Sequence, residues 1–135
     1  MTTTTHAVPD AAPGPIRIGA AIGAAVIVDL LVLWAASAAG ATLEIDAPYD
    51  LDAGAVIVST AVPMLAGTAL VLLLARRFPA ARRRLTWGGA AFALVTAAMP
   101  FTAADDTATA VALALMHVTV GIAWIAATAP RPTGA

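Results

Sequence analysis

The chain has 135 residues, 61% of them hydrophobic and 11% charged, with a net charge of −1 and no cysteine. Soluble domains run near half apolar and a quarter charged, and a chain this short has too much surface to hide such a complement of side chains within itself. Lipid must take up the excess, and the lack of cysteine excludes disulfides, thiolate metal sites and cysteine nucleophiles.

Residues 1–15, MTTTTHAVPDAAPGP, have no apolar period and read as a short disordered tail in which His6 and Asp10 are solvated. Four apolar segments follow, at about 16–40, 53–75, 85–101 and 104–129, and residues 130–135 form a second tail. At 1.5 Å per residue each can cross a hydrocarbon core of roughly 30 Å, the third most tightly. Only helices satisfy their own backbone groups in lipid at these lengths. The expected fold is therefore all-α, one domain, a four-transmembrane-helix antiparallel bundle.

The first segment contains Asp29, in IVDLLVLW, and opens with Gly19-x-x-x-Gly23. Arg17, the apolar run and Ala36-Ser37-Ala38 together look like a signal peptide with a cleavage site. The run is long for that role and Asp29 interrupts it, so an uncleaved span is expected. The loop TLEIDAPYDLD gathers four carboxylates, Glu44, Asp46, Asp50 and Asp52. It lacks the central glycine of an EF-hand and reads as a solvated acidic loop. Pro63 interrupts the second segment, where it removes a donor and frees the carbonyl of Ser59, so a packing kink is expected. Ser59, Thr60 and Thr68 stand nearby to resatisfy the gap.

Arg76, Arg77, Arg82, Arg83 and Arg84 all fall between the second and third segments; Arg17 precedes the first and Arg131 follows the fourth. The other two loops carry only carboxylates, including Asp105 and Asp106. By the positive-inside rule both termini and the RRFPAARRR loop are cytoplasmic. Trp87 and Phe78 then fall at the inner boundary, and Trp34, Phe101 and Tyr49 at or beyond the outer one, where amphipathic rings settle. In TAADDTATA, Thr102 with Asp105 makes a capping arrangement, and Asp105 and Asp106 suit the helix N-terminus that follows.

The fourth segment carries His117 midway, on a side shared with Ala110, Ala114 and Gly121. Such small residues let helices approach closely. Asp29 lies roughly 20 Å from the cytoplasmic start of its span and His117 roughly 13 Å from the inner edge, so their depths differ by about one turn. The pair reads first as an interhelical polar contact fastening the first span to the fourth. The functional alternative is a proton-binding pair of the kind that marks ion pathways. A haem would require a second intramembrane histidine or a methionine at Met64, Met99 or Met116, and no spacing supports it. No metal or other cofactor is expected.

RRFPAARRRLTWGGAAFALV, then a Met-Pro-Phe exit, an acidic Thr-rich link and ALALMHVTVG together resemble a family of small actinobacterial four-helix membrane proteins known as a domain of unknown function. The resemblance covers about 16–129 and is most specific over 82–121. It implies a plasma-membrane protein of the topology above, with His117 matching the family's fourth-helix histidine; Asp29 is not matched to the family pattern. The expected function is that of a small structural, accessory or regulatory membrane protein, not an enzyme. Its expected partners are the lipid bilayer, a second copy or a membrane protein, and not nucleic acid. A proton-linked transporter or channel subunit using Asp29 and His117 is the alternative, and a membrane enzyme or cofactor binder comes third.

Overall fold

The computed structural model describes residues 12–130, so the expectations for His6, Asp10, Arg131 and most of both tails lie outside the described residues. Five helices run in order: α1 Pro15–Ala38, α2 Ala53–Arg77, α3 Ala81–Thr96, α4 Pro100–Ala103 and α5 Thr107–Thr128. α3 and α4 together make one span, Ala81–Ala103, and all four resulting spans are long and apolar enough to cross a membrane. α5 is the hub of the bundle, packing against each of the other four helices.

Local chemistry sets the boundaries. Gly40 ends α1 with φ +87°, the left-handed conformation a helix terminus favours, and its N–H reaches the Ser37 carbonyl. Asp52 caps α2 by accepting from the Ala55 N–H at 2.7 Å. α2 stops at Phe78, whose extended backbone (φ −134°, ψ 83°) is the kind imposed on a residue before proline.

The third span departs from a simple rod. α3 closes at Thr96, and the chain tightens into i→i−3 bonds: Ala98 to Val95, Met99 to Thr96, Phe101 to Ala98 and Thr102 to Met99. Pro100 has no N–H to continue the α pattern, so the helix restarts as α4. α2, by contrast, runs unbroken across Pro63. The hydroxyls expected to answer the freed Ser59 carbonyl go elsewhere: Ser59 donates to Val56 and Thr60 to Asp29, while Thr68 Oγ1 has no partner.

Buried residues recur at helical spacing: Ile22, Ala25, Asp29 and Leu33 on α1, and Val56, Thr60, Met64, Thr68 and Val71 on α2. The remaining apolar surface faces outward, with Phe92 70% and Val95 72% exposed beside exposed Ile27, Leu31, Leu73 and Leu94. Water would solvate such a surface poorly; a bilayer interior suits it.

The two ends of the bundle are tied differently. At the basic end, Arg17 Nε donates to the Ala126 carbonyl at 2.6 Å. Arg82, only 5% exposed, donates through Nε to Thr128 O at 3.0 Å and through Nη2 to Ala129 O at 3.1 Å. Guanidinium groups thus meet the carbonyls that α5 leaves unpaired at its C-terminus. At the acidic end, the α1–α2 loop lies over the start of α5. Thr42 donates through N and Oγ1 to Asp106 Oδ2 at 3.1 and 2.7 Å, and Leu43 N donates to Thr109 Oγ1 at 3.0 Å. Asp46 N reaches Ala103 O, and Asp105 N reaches Glu44 O, around an antiparallel Ile45–Ala104 bridge.

The Thr102–Asp105 capping arrangement is replaced by another. Asp106 is the N-cap of α5, accepting from the Thr109 N–H at 2.9 Å and from the Thr109 hydroxyl. Thr102 is held one element earlier, inside α4, where its hydroxyl donates to Met99 O. The restart at Pro100 carries the helix as far as Ala103, so the cap falls after the extended Ala104. The small-residue expectation holds at Gly121 of the fourth span and not at Gly19 or Gly23 of the first. A Cβ on Gly19 or Gly23 would meet nothing within 4 Å, whereas one on Gly121 would lie 3.2 Å from the Ala93 Cβ. Close approach inside the bundle occurs between α3 and α5.

Candidate functional site

Asp29 lies mid-way in the buried α1 stripe, and Thr60 lies between Val56 and Met64 in the facing α2 stripe. The Thr60 hydroxyl donates to Asp29 Oδ2 at 2.8 Å. Asp29 is fully buried, and its second oxygen, Oδ1, has no hydrogen-bond partner. A carboxylate at mid-depth in a span costs roughly 2.5–3.5 kcal/mol on insertion scales, so a half-satisfied one marks this position as a candidate site.

Asp29 reaches the wall of a cavity of about 490 Å³ enclosed chiefly by α2, α3 and α5. α3 lines it with Gly89, Phe92, Ala93 and Thr96, one helical face; α5 contributes Leu113, Met116, His117, Val120 and Trp124. Ser59 and Pro63 of α2 and Phe92 and Met99 of the third span are both cavity-lining and exposed. The cavity therefore opens sideways between the second and third spans, toward the surface that apolar side chains cover. Its volume falls within the roughly 300–1,000 Å³ of small-molecule sites, and its mainly apolar wall with a few polar groups is the usual composition.

His117 shares this cavity with Asp29, but no hydrogen bond or ion pair joins them. His117 Nδ1 lies 2.8 Å from the Leu113 carbonyl of its own helix. A carbonyl only accepts, so Nδ1 carries a proton and donates this bond. The hydrogen bond that Asp29 makes to another span is thus to α2 through Thr60 and not to His117.

Trp124 is a feature that composition and spacing did not single out. A Cβ on Gly89 would fall 2.3 Å from its Nε1, and one on Gly67 would fall 2.8 Å from its Cζ3. The indole is wedged where α2 and α3 both lack side chains, and its Nε1–H donates to Thr86 O at 2.9 Å. This wedge forms one end of the cavity. The signals for it, a glycine at midspan of α2 and one of a Gly88-Gly89 pair in α3, were present in the sequence but had no assigned partner. Thr60 was singled out only as a neighbour of Pro63. At the acidic end, the Asp106 carboxyl is held well below the usual carboxylate range, first by the Thr109 hydroxyl and then by the Thr42 hydroxyl.

With this geometry in place, comparison with known proteins gives one match. The chain belongs to a family of unknown function, DUF6069, whose model matches residues 9–133. No curated protein and no solved structure matches it.

Proposed function

We propose that this chain is a non-enzymatic, multi-pass plasma-membrane protein that acts as a small accessory or regulatory module, holding an apolar molecule in a cavity inside the bilayer. The observation that carries the reading is the buried Asp29 carboxylate, half-satisfied by Thr60 and facing a laterally open cavity of about 490 Å³. A purely structural polar link would use both carboxylate oxygens or leave no room beside them. Both termini and the arginine-rich loop are cytoplasmic in this reading. It rests on the separation of arginines and carboxylates at opposite ends of the bundle.

Purification in mild detergent, followed by mass spectrometry of the extracted small molecules, tests this directly. A compound retained by the wild type and lost from Ser59→Phe, which fills the exposed rim, is the expected outcome. Equal recovery from both proteins would sink the reading.

A second reading, a proton-linked carrier, draws on the fact that Asp29 and His117 line one cavity. It predicts proton flux in liposomes that disappears in Asp29→Asn and falls in His117→Gln. Wild-type liposomes no leakier than protein-free ones would dismiss it.

A further inference from the structure

The polar lining of the cavity is one-sided. Six of its side chains carry polar atoms: Asp29, Ser59, Thr60, Thr96, His117 and Trp124. The donors that the hydrogen bonds fix among them are already committed. Thr60 donates to Asp29, Ser59 to Val56 O, Thr96 to Phe92 O and Ala93 O, His117 Nδ1 to Leu113 O, and Trp124 Nε1 to Thr86 O. The acceptors are not. Asp29 Oδ1 is buried without a partner. Pro63 brings no N–H to the Ser59 carbonyl. A ligand that itself accepts hydrogen bonds would leave these groups unanswered, whereas a donor completes them. The free oxygen belongs to a carboxylate, whose burial is costly unless a positive charge accompanies it. Phe92 and Trp124 add aromatic rings, which attract cations.

We propose that the cavity binds a hydrophobic amine as its ammonium form, the N–H groups on Asp29 Oδ1 and the hydrocarbon body against Met64, Met116 and Val120. The proposal rests on reading the cavity as a ligand site and assigns the class of ligand. The amine is a free molecule, because Asp29 lies roughly 20 Å along α1 from its basic end and roughly 13 Å from its other end, away from the depth of either lipid headgroup layer.

The test uses the full chain in phosphatidylcholine nanodiscs with Trp34→Phe and Trp87→Phe, which leaves Trp124, on the cavity wall, as the sole tryptophan. Its emission is followed during titration with 1-adamantylamine, 1-adamantanol and 1-adamantanecarboxylate, which share one apolar body. The expected result is saturable amine binding about tenfold or more tighter than that of the alcohol or the carboxylate, and its loss in Ser59→Phe. Asp29→Asn should weaken the amine by a similar factor while leaving the alcohol unchanged; the head-group series on the unsubstituted site stands even if that variant does not fold. Alcohol or carboxylate binding as tight as the amine's, and lost in Ser59→Phe, would overturn the amine and keep the cavity reading. If no probe's binding responds to Ser59→Phe, both fall. Displacement of the probe by added phosphatidylethanolamine would overturn the free-amine source.

Discussion

Asp29 and Arg82 are both buried charged side chains, and their surroundings separate their roles. Arg82 spends its guanidinium on the Thr128 and Ala129 carbonyls at the end of α5, which makes it a clamp between α3 and α5. Asp29 has one bond, from Thr60, and an open oxygen. Removing the Thr60 hydroxyl leaves the carboxylate with no protein partner, at a cost of about 1–3 kcal/mol. Thr60→Val is therefore expected to lower thermal stability in nanodiscs, and a double-mutant cycle with Asp29→Asn should show strong coupling. The same cycle run between Asp29→Asn and His117→Gln should give the smaller coupling, because no hydrogen bond joins those side chains. Coupling that is larger for His117 than for Thr60 would mean that the histidine swings onto Asp29 in the membrane.

Helix–helix contact is decided by Trp124 and the two glycines it lies against. In lipid the outward face of a helix is as apolar as its packed face, so the amphipathic phase that orients helices in soluble bundles is nearly absent. That is why the four spans, the arginine-rich link and the acidic loops were legible in the sequence while the helix partners were not. Span length and charge segregation are local properties, whereas the pairing of Asp29 with Thr60 depends on how α1 and α2 are rotated about their axes. Of the residues expected at the cap beyond Pro100, Asp106 takes the role, while Thr102 remains inside α4. The glycines allow a direct check. Gly89→Ala places a methyl group 2.3 Å from Trp124 Nε1, inside any allowed contact, and should cost about 1–3 kcal/mol through overpacking and strain on the Thr86 bond. Gly88→Ala, where a Cβ meets nothing within 4 Å, should change stability little. Equal melting temperatures for the two variants would remove the wedge as an element of the packing.

Across the whole molecule, the two ends of the bundle respond to different conditions. The basic end is held by guanidinium groups on carbonyls. The acidic end depends on the Asp106 carboxylate, which joins the α1–α2 loop to the first turn of α5 through Thr42 and Thr109. These hydrogen bonds favour the ionised form and depress its pKa below the ordinary 3.8. A depressed carboxylate contributes its stability in full above the unfolded-state value and loses it as pH falls through that value toward the folded one. The α1–α2 loop should thus stay docked at neutral pH and loosen below about pH 4. Hydrogen exchange resolved along the chain would show this as faster exchange at the Thr42 and Leu43 amides relative to those of α5. Asp106→Asn keeps an acceptor for the cap but has no proton to gain, so its loop should exchange at a level set by the substitution and unchanged between pH 6 and pH 3 once intrinsic rates are removed. Wild-type protection that is equally flat over that range would mean that the carboxylate does not hold the loop.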